Sequence, residues 1–349
     1  MKLLVAGLGG IGQRHVRNLR ALLGPAAELT AFRVRRESTT LTNTLSVEAG
    51  ANVEEKYGLK VFDNLDAALD ERPDAVLVCN PSSLHLPVAM QVAQAGCALF
   101  IEKPLAHVTE GINQLIDLVE RAHLVGLVGY QMRFHPCLQR LHALLEKQAV
   151  GRIVAVRIVV GEYLPGWHTY EDYRQMYASR ADLGGGVVLS QIHELDYVYW
   201  LFGMPTRVFA LGGHLTSLEI DVEDTASTLL ECVVGGRAIP IHVHQDYIQR
   251  PPSRTCEVIG EDGKILVDLR EQTVTVLASD GRITEATAFP ELERNQLFLD
   301  EMTHFLACLE GSERPLVSIR DGACSLRIAL AIKESLESGC MVDMTGQAS

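Results

Sequence analysis

Residues 1–24 read MKLLVAGLGGIGQRHVRNLRALLG, and the fold is decided here. Residues 1–6 are a near-continuous apolar run, the signature of a strand buried on both faces of a parallel sheet. Gly7, Gly9, Gly10 and Gly12 follow at once, then Ile11, Val16, Leu19 and Leu22 at helical spacing, closed by Gly24-Pro25. A glycine triplet between a buried strand and an amphipathic helix predicts a dinucleotide site. The first glycine permits the tight turn, the second lets a pyrophosphate approach the backbone, and the third lets helix and strand pack closely. The free N–H groups at the helix start favour the anion. The amphipathic continuation also argues against a leader peptide.

Outward from this unit, strands and helices alternate to about residue 130, which predicts a doubly wound parallel sheet. Residues 29–34 form its second strand, followed by Arg33-Val34-Arg35-Arg36 and Glu37. Arginines at that position suit a ribose 2′-phosphate, favouring NADP(H) over NAD(H), while Glu37 could still serve NAD. The pattern over 39–57 predicts a helix. Residues 79–105, CNPSSLHLPVAMQVAQAGCALFIEKPL, carry a strand end, a Pro-Ser-Ser turn, a helix and a second strand that delivers Glu102-Lys103-Pro104. Gly7, Asn80, Glu102-Lys103 and Tyr130-Gln131 all lie at or just past strand ends, where such a sheet binds its ligand.

After a helix ending near residue 147 the character changes. Residues 153–160, 207–215, 225–234, 237–245, 255–259, 264–269 and 273–277 read as strands joined by turns such as Gly235-Gly236. Two helices close the chain, at 295–309 and 322–338. The expected division is a dinucleotide-binding domain at 1–130 and a substrate-binding and oligomerisation domain at 131–349. A row of apolar residues at Ile239, Ile241 and Val243 suggests a sheet face covered by another subunit, hence a homodimer or homotetramer.

Composition narrows the function classes. The chain has 349 residues, 47% hydrophobic and 21% charged, with a formal charge of −13. That charge argues against nucleic acid as a partner, and no apolar run is long enough to span a membrane. The eight cysteines are scattered without metal spacing, which points to free thiols in a reducing, cytoplasmic setting. No metal is expected: His193 and Asp196 lack further ligands, and His242-x-His244 is an isolated pair.

Taken together, these landmarks resemble the Gfo/Idh/MocA family of NAD(P)-dependent oxidoreductases over nearly the whole chain. The resemblance rests on GLGGIG at 7–12, NPxxxH at 80–85, the EKP of 102–104, YQMRFHP at 130–136, Gly184-Gly185-Gly186 followed by His193 and Asp196, and DGACSLRIALAIKES near the C-terminus. It implies a Rossmann domain joined to an α/β domain with a large, mostly antiparallel, open-faced sheet. It also implies hydride transfer between nicotinamide and a hydroxyl or carbonyl carbon of a sugar, sugar acid or nucleotide sugar. Lys103 then matches the family's catalytic lysine and His193 its histidine. Where the family pattern carries an aspartate this chain has Ser190, and the segment before His193 is one residue shorter.

The cofactor is expected along Gly7, Gly9, Gly10, Ile11 and Gly12, near Arg33, Arg35 and Arg36, and against Asn80, Pro81, His85, Glu102, Lys103 and Gln131. The substrate is expected against Tyr130, Arg133, Trp167, Tyr170, Tyr173, Ser190, Gln191 and His193. Residues 163–177, YLPGWHTYEDYRQMY, combine flat faces and hydrogen-bonding groups as carbohydrate sites do, though an oligomer contact would read the same way. Arg133 could face an anionic group such as a carboxylate or phosphate, with a packing role as the open alternative. Two other readings stay open: a non-catalytic dinucleotide-binding sensor, which the absent aspartate favours, and a reductase of a non-sugar carbonyl or imine.

Overall fold

The computed structural model describes residues 1–34, 39–42 and 46–346. Six parallel strands form the first sheet: β1 (Lys2–Ala6), β2 (Glu28–Phe32), β3 (Lys60–Phe62), β4 (Ala75–Val78), β5 (Ala98–Glu102) and β6 (Gly126–Gly129), in the order β3-β2-β1-β4-β5-β6. β4, β5 and β6 are buried along their whole length, because helices cover both faces. Those helices include α1 (Gly10–Leu23), α2 (Val53–Tyr57), α3 (Leu65–Leu69), α4 (His85–Gln94) and α5 (Ile112–Arg121). The strand order reverses between β1 and β4, which opens a crevice at their carboxyl ends.

Residues 43–45 of the expected helix over 39–57 lie outside the described residues; among the described ones the helix is confined to Val53–Tyr57, capped by the Asn52 side chain on the Glu54 and Glu55 amides. Upstream, backbone groups find other partners. Gln13 takes the Thr39 carbonyl and the Leu41 amide, and the Thr40 hydroxyl donates to the Ala51 carbonyl. Leu41 instead pairs with Val47 in an isolated bridge.

The second sheet has nine strands in the order β14-β13-β12-β11-β7-β10-β9-β8-β15. They are β7 (Ile153–Gly161), β8 (Pro205–Gly213), β9 (Thr225–Val234), β10 (Arg237–Asp246), β11 (Ser253–Gly260), β12 (Gly263–Asp268), β13 (Thr273–Ala278), β14 (Ile283–Ala288) and β15 (Val342–Asp343). Only β7 and β10 pair in parallel. The outermost long strand, ITEATA at 283–288, escaped the sequence reading because its edge position leaves it polar and largely exposed.

One face of this sheet is packed by α6 (Pro136–Glu146), α7 (Val187–Ser190), α8 (His193–Phe202) and α10 (Ile319–Ser338). Ile239, Ile241 and Val243 point into that core at 0–4% exposure, not outward as expected. The open face carries their alternates, Pro240, His242 and His244, beside Leu229 and Val233 on β9 and Leu211 on β8, all three more than half exposed. The apolar, helix-like run through His193 is not one continuous helix. The Gln191 carbonyl accepts from the Gln245 side chain at 3.0 Å, so α7 ends and α8 begins afresh at His193. The remaining helix, α9 (Arg294–Leu309), returns to the first sheet, where Met302 and Phe305 share a core with β1, β5 and α1.

Candidate active site

The turn after β1 is as close as glycine allows. A Cβ on Gly12 would sit 1.9 Å from the Gly7 carbonyl oxygen, and one on Gly7, at φ +105°, would meet the Cys79 carbonyl at 2.8 Å. Gly9 has open space in front of it, and α1 starts there with no side-chain cap and no acidic residue in its first turn. This bare, uncapped helix start fits a dinucleotide pyrophosphate. The Asn80 Oδ1, buried in the same cleft, has no partner among the described residues.

His85 locks two of the turns together. Its ring nitrogens lie 2.7 Å from the Pro104 carbonyl and 2.8 Å from the Asn80 carbonyl, and burial lowers its pKa. Glu102 is fixed from below by His15 of α1, 2.6 Å away, and from its own chain by the Lys103 amide. The Lys103 ammonium leaves the end of β5 and donates to the Ser190 carbonyl at 2.8 Å, joining the two sheets across the cleft.

That cleft, about 670 Å³, is lined by Gly9, Gly10, Asn80 and Lys103 on one side and by Trp167, Gln191 and His193 on the other. His193 stands at the first position of α8, edge-on to Tyr130 with ring centroids 5.7 Å apart. Burial, then the positive field of Lys103, Arg254 and Arg294, pushes its pKa well down, so the imidazole is neutral at neutral pH. A second cavity of about 680 Å³, lined by His107, Gly184 and Lys333, shares the segment 181–191 as a wall but holds none of these groups.

Most residues expected at the site meet in the cleft: Gly9, Gly10, Ile11, Asn80, Pro81, His85, Glu102, Lys103, Gln131, Trp167, Tyr170, Ser190, Gln191 and His193. Gly7 and Gly12 shape its floor. Four others lie elsewhere. Arg133 is 4% exposed and turned away, its guanidinium closed by a bidentate pair with Asp196 at 2.9 and 2.8 Å. Tyr130 is fully buried behind His193. Tyr173 accepts from the Glu219 amide and packs under Arg174. Arg33 pairs with Glu54 of α2. Arg35 and Arg36 fall outside the described residues.

The sequence reading missed His15, Arg14 and a group of cleft arginines: Arg250, Arg254, Arg270 and Arg294. The QRPPSR run at 249–254 falls between the expected strands 237–245 and 255–259, where no site residue was expected. Among the described residues no cluster of His, Cys, Asp and Glu could hold a metal ion. His242 meets Ser227, and His244 meets Asp246.

Comparison with known proteins agrees with this geometry. Residues 1–130 match the model of an oxidoreductase family with an NAD-binding Rossmann fold, and residues 138–266 match the Gfo/Idh/MocA C-terminal domain. Myo-inositol 2-dehydrogenase of Thermotoga maritima is 28% identical, over 97% of this chain and 96% of its own length. UDP-N-acetylglucosamine 3-dehydrogenase of Acidithiobacillus ferrooxidans is 26% identical over 97% and 98%. Among solved structures, the dehydrogenase WlbA of Bordetella pertussis in complex with NADH and UDP-GlcNAcA superposes with a TM-score of 0.79 at 24% identity, over 98% of both chains. A levoglucosan dehydrogenase bound to NADH reaches 0.82 at 19% identity, again over 98% of both. The chain is an oxidoreductase of the Gfo/Idh/MocA family, with an NAD-binding Rossmann fold at its N-terminus.

Proposed function

We propose that the protein transfers hydride between a nicotinamide and the carbinol or carbonyl carbon of a sugar or polyol, with Lys103 and His193 as the polar pair at the reacting carbon. The supporting observation is their convergence: Lys103 donates across the cleft to Ser190, three residues before His193, at the mouth of the glycine turn. The bound nicotinamide supplies the hydride acceptor or donor. The chain's own residues handle the proton. In oxidation the hydroxyl loses its proton as the C–H bond yields hydride, and a side chain in hydrogen-bond reach must take it. Lys103 takes that role in its amine form and, as ammonium, steadies the developing alkoxide. His193, neutral, orients the hydroxyl. Trp167 and Tyr170 offer flat faces to the ring. Lys103→Ala should bind cofactor normally and lose turnover by roughly two to four orders of magnitude. Normal turnover in that variant would overturn the mechanism.

Cofactor choice follows from the sequence after β2. Arg35 and Arg36 favour NADP(H), while the ion pair of Arg33 with Glu54 leaves that residue less available to a 2′-phosphate. The ratio of kcat/KM with NADP and NAD, before and after Arg36→Glu, decides it. We further assign residues 1–130 to cofactor binding and 131–349 to substrate binding and self-association. Leu211, Leu229 and Val233 on the open sheet face suit burial against a second copy in a homodimer or homotetramer. Leu229→Asp should then shift the mass measured by light scattering towards the monomer. All eight cysteines are free and seven are buried, which suits a reducing cytoplasm. Among the described residues no helix is long and apolar enough to cross a membrane.

A further inference from the structure

The chain carries a formal charge of −13, yet its cleft is cationic. Lys103, Arg250, Arg254 and Arg294 all line it. The acidic residues on the same walls are engaged: Glu102 with His15, Glu162 with Arg270 and Glu171 with His168. Arg250 and Arg294 are exposed, and among the described residues neither forms an ion pair. The Arg250 guanidinium sits over the Tyr163 ring, 3.9 Å from its centroid, a cation–π contact that holds it at the cleft wall.

Arg254 is the best-oriented of the group. Buried Glu194, the residue next to His193, grips its Nε at 2.8 Å and its Nη2 at 3.2 Å. That grip leaves the Nη1 corner of the guanidinium outside the pair, on a residue that lines the cleft. Lys103 donates to the Ser190 backbone carbonyl, and the carboxylate beside it, Glu102, is held by His15. Six Lys and Arg side chains line the cleft against three carboxylates, and its low-dielectric walls focus the resulting positive potential. The neutral state of His193 fits the same field.

The geometry points to a substrate that carries a carboxylate near its reacting carbinol, a sugar acid such as a hexuronate or hexonate, held by Arg250, Arg254 and Arg294. This rests on the dehydrogenase reading above and narrows it. The anion-binding part expected of Arg133 thus falls to different arginines, because Arg133 is closed by Asp196.

The test uses matched pairs: glucuronate against glucose, galacturonate against galactose, and gluconate against glucitol, with glucose 6-phosphate as a further anion. Each is offered with NAD and NADP, and each is titrated calorimetrically into the NADH-loaded protein. In at least one pair the acid should show a kcat/KM about tenfold or more above its neutral partner, which corresponds to about 1.4 kcal/mol. The exposed pair Arg250→Ala/Arg294→Ala should raise KM for that acid about tenfold while kcat changes less, and added salt should weaken binding of the acid alone. Equal or better use of the neutral partner in every pair overturns the proposal, as does a stronger preference for the sugar phosphate or an unchanged preference in the double variant. If nothing turns over, the dehydrogenase reading fails by itself. The calorimetric arm then decides: binding of an acid that the double variant loses supports the carboxylate site, and no binding of any acid overturns it.

Discussion

Three buried carboxyl groups around the active site meet different fates. Asp196 on α8 is 1% exposed and completely answered, with Arg133 on both oxygens and the Ser325 hydroxyl donating at 3.0 Å. Glu194, two residues earlier, is just as buried, yet its arginine opens onto the cleft. Glu301 on α9 is fully buried and neither oxygen has a partner among the described residues. Burial pushes the pKa of all three upward. For Asp196 and Glu194 an arginine opposes the rise, whereas for Glu301 nearby Glu102 and Asp196 add to it. The contrast separates what fastens the frame from what serves the cleft. A closed pair holds α8 to the turn after β6, an open pair sets a cation on the cleft wall, and an unpaired acid is tolerated only as a neutral group.

The closed pair should be the costliest to break. Asp196→Ala leaves the Arg133 charge buried and unanswered, so unfolding free energy should fall by about 3–5 kcal/mol. Urea denaturation checks this, and a loss under about 1 kcal/mol would show that water reaches Arg133.

Glu301 gives a signed pH effect. Its folded-state pKa lies well above the ordinary 4.5, so above pH ~4.5 the native carboxyl keeps a proton that the unfolded chain releases. Stability therefore falls as pH rises, by about 1.4 kcal/mol per pH unit, until the native group also ionises. Glu301→Gln removes this slope. Its gain over the parent should be small near pH 4.5 and grow towards pH 7, read from urea midpoints at a series of pH values. A constant offset instead would mean that Glu301 ionises normally.

How much of this was legible in the sequence differs between regions for physical reasons. The first sheet announced itself because strands buried on both faces are apolar throughout, and because the approach of Gly12 to Gly7 excludes every side chain. Residues 39–42 misled because their partners, Gln13 above all, lie elsewhere in the chain. The row Ile239, Ile241 and Val243 correctly predicted a two-faced strand, but alternation does not say which face meets the helices. The more apolar row went inward. Lys103 and His193 stand in local motifs, and the fold brings both to the cleft. The His15–Glu102 pair joins positions 87 residues apart, and no local pattern marks it. Arg133 was placed correctly at a strand end. Its direction depends on the 3₁₀ turn at Gln131–Phe134 and on an aspartate from another helix.

The open pair should cost less stability and more function. Glu194→Gln keeps one acceptor on Arg254, and the side chain of Arg254 is 21% exposed, so its charge can find water. The expected loss is about 1–3 kcal/mol. Because Arg254 then loses its fixed orientation, KM for an acid substrate should rise with kcat less affected. If Glu194→Gln matched Asp196→Ala in stability and left KM alone, the two pairs would be equivalent and Arg254 would have no part in binding.

The smallest change tests the charge of the cleft itself. Ser190→Asp would place a carboxylate beside Lys103, whose ammonium already meets the Ser190 backbone carbonyl. Two consequences follow. The new anion pairs with Lys103, favours its protonated form and slows it as a base, so the alkaline pH needed for half-maximal oxidation rises. It also cancels part of the positive field that Arg250, Arg254 and Arg294 present, so the ratio of kcat/KM for acid over neutral substrate should fall about tenfold, or about 1.4 kcal/mol. A variant whose pH profile moves while that ratio stays fixed would place the carboxylate-binding end of the cleft beyond the reach of residue 190. The arginines would then be read separately from the lysine.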